Sequence, residues 1–417
     1  MRKDFLGYHC SVCGTRYQPE EVTYTCPKDG GNLDVVLDYA GMQKRVSQDD
    51  ILNSKEESLW RYLPLLPVDD PGGYGTTLRA PGWTKVYQPP KLIENTGVKN
   101  LWVKDEGPNP TASFKDRASA ILVGRAREIG AETIVTASTG NAGAALAGMA
   151  AAVGHRAVIF APKAAPPAKI AQLLVFGAEV ILVDGTYDDA FDLAVEASNK
   201  FGWYCRNTGY NPFTAEGKKT VSFEIWEQVL HPNKLKGPVN IFISVGDGNI
   251  ISGAHKGFKD LMALGWIEEM PRLFGVQSTG SAAISHAYEN KTEEITPVSA
   301  TTLADSISVD LPRDGLRALR AATHTGGAYV QVEDEKILEA IAILGQVGIF
   351  AEPAGATAYA GFLKALTDGH ISKDDATVIV NTGSGLKDIG AATKAVGEAP
   401  VIHPSMDALQ EFLSNKR

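Results

Sequence analysis

The stretch ETIVTASTGNAGAALAGMAAAVGHRAVIFAP, residues 132–162, decides the fold class. ETIVTAS and RAVIFAP are short runs rich in β-branched and apolar residues, which is how buried strands read. Between them lies a helix of unusually small residues, AALAGMAAAVG. Strand, helix and strand in succession form a unit whose two strands pair in parallel, because the crossover helix returns the chain to the same end of the sheet.

The same alternation extends in both directions. NLWVKDE is a strand followed by an amphipathic helix, and PPAKIAQLLVFG, AEVILVDG and YDDAFDLAVEASNKFG continue as helix, strand and helix. A second series follows in NIFISVGDGNIISGAHKGFKDLMALG, RLFGVQS, EKILEAIAILGQVGIF and DATVIVNTGSGLKD. The expected fold is α/β: two open twisted sheet lobes flanked by helices, with a small zinc-ribbon-like N-terminal segment. Residues 1–40 make that segment, 41–104 and 215–400 the larger lobe, 105–214 the smaller lobe, and 401–417 a C-terminal helix. Two lobes imply a cleft between them, the usual place for a small ligand.

In such sheets the ligand lies beyond the carboxyl ends of the strands, so the loops there carry the chemistry. The first is NPTASFKDRASAILVGRAREIG, 109–130, where Phe114, Ala118, Ile121, Leu122 and Ile129 recur at helical spacing. Ser113 and Asp116 have the spacing of a capping box, which makes Lys115 the second helical residue. A cation there opposes the positive end of the helix dipole by roughly 0.3–1 kcal/mol. Positive surroundings and burial favour a neutral amine, the form that condenses with a carbonyl. A solvated surface lysine is the other reading of this stretch alone.

Three more loops follow strands. STGNAG, Ser138–Gly143, offers hydroxyls and free N–H groups at a helix start, suited to a carboxylate or phosphate, and equally to an ordinary capped turn. VGDGN, Val245–Asn249, lets backbone N–H groups converge on a phosphate ahead of a helix expected near Gly253. Its glycine spacing is not the dinucleotide fingerprint. NTGSGLKD, Asn381–Asp388, carries a hydroxyl and flexible glycines that either touch an aromatic ring nitrogen or form a plain turn. A phosphate cradle, a carboxylate cradle and an imine-forming lysine together point to pyridoxal phosphate.

Bulk properties narrow the field. The net charge of -9 is spread along the chain, which argues against nucleic-acid partners. The start, MRKDFLGYHC, lacks the apolar core of a signal peptide, and AGAALAGMAAAVG is shorter than the roughly 20 residues of a membrane span, so a cytoplasmic protein with no membrane partner is expected. Cys10 and Cys13 form one CxxC knuckle, and Cys26 opens a second in which Asp29 stands at the fourth ligand position. Two readings stand: zinc held with Asp29 or His9 as fourth ligand, or a metal-free ribbon of the same shape. Cys205, apart in GWYCRN, reads as a buried structural thiol.

VKDEGPNPTASFKDR, ASTGNAG, NPFTAEGKKT, VGDGN and TGSGLKD, in this order between about Ser58 and Ala391, resemble the threonine synthase family. That family belongs to the tryptophan-synthase-β-like, fold type II pyridoxal-phosphate enzymes. The resemblance implies a carbon–oxygen lyase that converts O-phospho-L-homoserine and water to L-threonine and phosphate. It implies that Lys115 holds the cofactor as a Schiff base and shuttles protons, and that Asn141 meets the ring's phenolic oxygen. Ser138, Thr139 and Gly140 would receive the substrate carboxylate, Gly246, Asp247, Gly248 and Asn249 the cofactor phosphate, and Thr382 the pyridine nitrogen. It further implies a homodimer.

The chain departs from the family where substrate phosphate is bound. Thr214 stands where the family commonly has an arginine, the glycine loop lacks the usual asparagine near Gly246, and Asp247 adds a negative charge. Lys218, Lys219 and Lys104 are the cations available to replace the arginine, although lysines on a helix surface are commonly solvated. The alternative activity is that of another fold type II lyase, a serine/threonine dehydratase or a β-replacement enzyme. EPAGATAYAG, from Glu352, reads as a packing helix behind the cofactor, with proline in its first turn.

Overall fold

Strand order explains why the strand-end loops meet. The computed structural model describes residues 3–235 and 237–415. Residues 1–2 of the expected ribbon, 236 of the larger lobe and 416–417 of the expected C-terminal helix lie outside the described residues. At the N-terminus β1 (Phe5–Cys10), β2 (Arg16–Tyr17) and β3 (Leu33–Leu37) pair antiparallel in the order β2-β1-β3. Then come β4 (Val86–Tyr87), β5 (Leu101–Asp105), β6 (Thr133–Ala137), β7 (Arg156–Pro162), β8 (Glu179–Val183) and β9 (Tyr204–Cys205). The last four are β10 (Val239–Ser244), β11 (Arg272–Ser278), β12 (Tyr329–Val332) and β13 (Ala376–Asn381).

β6 to β9 make a four-stranded parallel sheet, β8-β7-β6-β9. The other six make a second sheet, β12-β11-β10-β13-β5-β4, parallel except for the short edge strand β4. β5, β6, β10 and β13 are buried along their whole length. Helices cover both faces, which is why these strands read as continuous apolar runs instead of alternating ones. Among the described residues no helix is long and apolar enough to cross a membrane. The C-terminal helix is shorter than expected, Met406–Ser414.

The chain passes from β5 in the larger sheet to β6 in the smaller one through the helix Lys115–Glu128. The expected capping box does not form there. Phe114, in helical conformation, is the N-cap, and Lys115 is the first helical residue. The reason is tertiary: Ser113 bridges to Gly383, and the Phe114 N–H donates to Thr382 O at 2.9 Å. Asp116 turns to the preceding loop, where its carboxylate accepts from the Thr111 N–H at 2.7 Å and from the Thr111 hydroxyl. The helix after β10 also starts early, at Asn249, because Gly248 completes the turn at φ 90°.

A buried ion cluster fixes the helix that carries Lys115. The Arg117 guanidinium donates to Glu106 Oε2 and Oε1, both at 2.7 Å, and to Glu224 Oε2 at 2.8 Å. Lys104 Nζ donates to the same Glu224 oxygen at 2.6 Å. All four side chains are fully buried. Burial works to raise the Glu224 carboxyl, but Arg117 and Lys104 outweigh it and hold the group below its ordinary range. Two carboxylates balance two cations, so removing one partner leaves charge stranded in a low dielectric. Arg117→Met is expected to lower stability by about 3–5 kcal/mol in equilibrium urea unfolding. A change below about 1 kcal/mol would show that the cluster does not hold this helix.

Candidate active site

A cavity of about 680 Å³ opens at the carboxyl ends of strands from both parallel sheets. Lys115, Ser138, Thr139, Gly140, Asn141, Gly246, Asp247, Gly248, Asn249 and Thr382 all line it. The ten residues assigned to the cofactor and the substrate carboxylate are therefore brought to one cleft. β6 supplies the loop from Ser138, β10 the loop from Gly246 and β13 Thr382, while the helix Lys115–Glu128 starts among them.

Lys115 is half-buried, and its amine is pushed below its ordinary value. Loss of solvation is the largest cause, and the Arg206 charge adds to it, while Glu352 and Asp247 pull the other way. A depressed pKa raises the fraction of neutral, nucleophilic amine.

The β10 loop has the form of an anion cradle. A Cβ on Gly246 would lie 2.7 Å from the Ile307 Cα, and one on Gly248 would lie 2.6 Å from the Ala318 Cβ. Only glycine lets the loop pass so close to these segments. Past it, the first-turn N–H groups of the helix Asn249–Ala263 have no intrahelical partners. The Asn249 side chain is already engaged: Nδ2 donates to Asp314 Oδ2 at 2.6 Å, and Oδ1 accepts from Lys218 Nζ at 2.7 Å. The Asp247 carboxylate accepts from the Arg313 N–H at 3.3 Å, and burial raises its pKa.

Across the cleft, the helix Asn141–Ala151 begins with no side-chain cap at Gly140, so its first N–H groups face the cavity region uncapped. Asn141 Nδ2 donates to Glu352 Oε1 at 2.9 Å and Oε2 at 3.0 Å. Glu352 is buried at the N-cap of the helix Pro353–Thr367, and desolvation raises its carboxyl above the ordinary range. The packing helix thus also supplies the residue that orients Asn141. Its signal in the sequence was an acidic residue directly before a first-turn proline. Thr382 Oγ1 lies 3.5 Å from the Ser244 hydroxyl.

The cations differ most from expectation. Thr214 is buried, and its hydroxyl donates to Asn211 O at 2.7 Å. The three lysines are not solvated. Lys104 pairs with Glu224, and Lys219 pairs with Glu216 at 2.6 Å and Asp260 at 2.7 Å. Only Lys218 lines the cleft, fully buried and held well below its ordinary pKa by desolvation, then by Arg206 and Lys115.

Arg206 itself was not anticipated. It lines the cleft from the end of β9, is fully buried, and is pushed down to about 10, chiefly by desolvation. Its Nη1 donates to Thr208 Oγ1 at 2.7 Å and its Nε to Ser119 Oγ at 3.3 Å, while Nη2 is buried with no partner. The strand-end rule that found the other loops also applies to WYCRN, but β9 is only two residues long. Two buried cations in one cleft, one with an unused donor, suit a multiply charged anion.

Residues 77–383 match the family described as pyridoxal-phosphate dependent enzyme. The threonine synthase of Methanocaldococcus jannaschii is 37% identical over 97% of this chain and 98% of its own length. That of Methanosarcina acetivorans is 36% identical over 98% and 99%. Among solved structures, threonine deaminase isoform 2 from Solanum lycopersicum superposes with a TM-score of 0.65 at 23% identity, covering 84% of this chain and 90% of its own. Maize serine racemase gives 0.63 at 21%, covering 80% and 92%; at these identities the likeness concerns the fold.

Gly246→Ala forces the Ile307 backbone to move or the loop to shift. Inorganic phosphate, titrated calorimetrically, is expected to bind this variant on the order of tenfold more weakly than wild type, a loss of about 1.4 kcal/mol. Equal affinity would place the anion elsewhere.

Proposed function

We propose that this chain, which belongs to the pyridoxal-phosphate dependent enzyme family and is a threonine synthase, acts on O-phospho-L-homoserine and water with Lys115 as the catalytic residue at its centre. The half-buried lysine with a depressed pKa, set between two anion cradles, is the observation that carries this reading. The cleft fits the cofactor: Gly246 and Gly248 leave room that a side chain would fill, and the free N–H groups beyond them suit a phosphate. When bound, pyridoxal phosphate supplies an aldehyde for a Schiff base and a ring that withdraws electrons from the substrate's α-carbon.

The remaining work falls to the chain's own residues. Gly246, Asp247, Gly248 and Asn249 hold the cofactor phosphate, mainly through backbone N–H groups. Asn141, steadied by Glu352, meets the ring's phenolic oxygen. Thr382 faces the ring nitrogen with a hydroxyl, which does not keep a proton there as a carboxylate would. Ser138, Thr139 and Gly140 receive the substrate carboxylate at the start of the helix Asn141–Ala151. Lys115 Nζ, neutral and within reach of the substrate's α-carbon, removes the α-proton and then the β-proton, and once the phosphate has left it returns one proton to the γ-carbon, which becomes the methyl group, and one to the α-carbon.

Arg206 and Lys218 take the place of the missing arginine. The Thr214 hydroxyl is used on Asn211 O, whereas Arg206 Nη2 is buried and free. Their positive charge holds the γ-phosphate and stabilises the dianion as its bond to the γ-carbon breaks. Water then adds at the β-carbon.

The same reading assigns residues 41–104 and 215–400 to a larger cofactor-binding lobe and 105–214 to a smaller one. That division is supported by the membership of β5 with β10–β13 and the separate sheet of β6–β9. It also includes a cytoplasmic homodimer. Four free thiols favour a reducing compartment, and exposed apolar side chains such as Val175, Leu386 and Val396 favour association.

Wild type with pyridoxal phosphate is expected to show a Schiff-base absorption band and to release phosphate and threonine in equal amounts from O-phosphohomoserine. Lys115→Ala should lose both the band and the products. Ammonia and a 2-oxo acid in place of threonine would instead assign a dehydratase. Arg206→Gln removes a charge-assisted contact of about 1.5–3 kcal/mol. Its kcat/KM for O-phosphohomoserine should therefore fall by about 10- to 150-fold with the absorption band retained. An unchanged kcat/KM would remove Arg206 from the phosphate site.

A further inference from the structure

We propose that Cys10, Cys13, Cys26 and Asp29 form a four-coordinate zinc site that closes the N-terminal ribbon, which is itself hydrogen-bonded to the wall of the active-site cleft. One ligand atom from each of the four lies within 4.8 Å of all the others, and His9 is not part of the group. All the cysteines are free thiols, Cys10 and Cys26 buried, Cys13 exposed.

Two of the six ligand-to-ligand distances match the edges of a metal tetrahedron, and the others lie within 4.8 Å. With zinc–sulfur bonds of about 2.3 Å and a zinc–oxygen bond of about 2.0 Å, the edges are about 3.75 Å between sulfurs and about 3.5 Å between sulfur and oxygen. Cys13 Sγ and Cys26 Sγ are 3.7 Å apart, and Cys10 Sγ is 3.4 Å from Asp29 Oδ1.

The two halves of the site share one backbone design. In Cys10–Gly14 the Gly14 N–H donates to Cys10 O at 3.1 Å, and in Cys26–Gly30 the Gly30 N–H donates to Cys26 O at 2.8 Å. Gly14 and Gly30 both have φ of 71°. Asp29 therefore occupies in the second knuckle the position that Cys13 occupies in the first. A Cβ on Gly31 would lie 2.9 Å from Asp29 Oδ1 and 3.0 Å from Cys10 Sγ, so glycine there leaves the ligands room to close. Outer groups support the sulfurs: the Val12 N–H donates to Cys10 Sγ at 3.4 Å, and the Tyr17 hydroxyl lies 3.1 Å from Cys26 Sγ. Binding expels the three thiol protons to solvent, and Asp29 enters as the carboxylate.

The ribbon reaches the active site by a continuous path. Arg317 Nη1 donates to Leu33 O at 3.1 Å and to Asp34 Oδ1 at 2.8 Å, and its Nε donates to Asp314 Oδ1 at 2.6 Å. Asp314 in turn holds Asn249, and Asn249 holds Lys218 in the cleft. Asn32 Nδ2 donates to the backbone oxygens of Gly209 and Arg313 as well. The metal acts by positioning, since none of its four ligands lines the cleft.

The test is the metal content of the full, untagged chain, purified under reducing conditions with zinc supplied and measured by elemental analysis. One zinc per chain in wild type and none in Cys26→Ser is the expected result. Asp29→Cys should keep the zinc, and Asp29→Ala should lose it to a chelator at least tenfold more readily than wild type. Stripping the metal should lower the unfolding midpoint of wild type and leave that of Cys26→Ser unmoved. A metal-free wild type, or equal zinc in Cys26→Ser, overturns the site, and equal retention by Asp29→Ala removes Asp29 from it. If Cys26→Ser does not fold, cobalt(II) titration of reduced wild type decides: intense visible bands of tetrahedral thiolate cobalt support the site, and their absence overturns it.

Discussion

The position of Lys115 depends on a guanidinium two residues away. Arg117 is buried between Glu106, which follows β5, and Glu224, and Lys104 completes the charge balance. Four charges without solvent are tolerable only when each is paired and hydrogen-bonded. That requirement ties the helix Lys115–Glu128 to the larger sheet on one side, while its other contacts reach the smaller sheet's helices. The first turn of the helix is fixed independently by the backbone bonds of Ala112 and Phe114 to the loop after β13. Lys115 consequently sits where an unbound amine is desolvated and faces other cations.

The cleft is a concentration of positive charge held in place by a few carboxylates. Burial lowers the proton affinity of Lys115, Lys218 and Arg206, and the Arg206 charge lowers that of both lysines further. Such an arrangement is unfavourable while it has no counter-ion and becomes favourable when phosphate and carboxylate groups arrive. The same charges serve binding and chemistry. In the proposed function they would draw in a doubly ionic substrate, favour a neutral amine for proton transfer, and stabilise the departing phosphate.

Local patterns and tertiary contacts disagreed in instructive places. Ser113 and Asp116 have capping-box spacing, yet the Ser113 hydroxyl reaches only the Lys115 N–H, at 3.4 Å, and Asp116 closes the Thr111 turn. The helix after β10 starts at Asn249, before the expected position near Gly253, because Gly248 reaches a left-handed conformation. NPFTAEGKKT looks like a helix surface with free lysines, but Lys218 and Lys219 are both buried, one toward the cleft and one against Asp260. A single sequence does not show which face of a short helix will be covered when every neighbouring element is also apolar.

The sequence by itself determined the α/β alternation, the strand-end loops, the lysine and the cysteine knuckles, because hydrophobic period, glycine placement and motif spacing are local properties. It was enough to nominate ten residues that line one cleft. Only the tertiary structure decided which cations face that cleft, that Glu352 orients Asn141, and that Asp29 rather than His9 converges with the three thiols. Those outcomes depend on side chains far apart in the chain, such as Arg206 with Lys218 and Arg317 with Asp34. Their distances and burial follow from packing, and no local spacing encodes them.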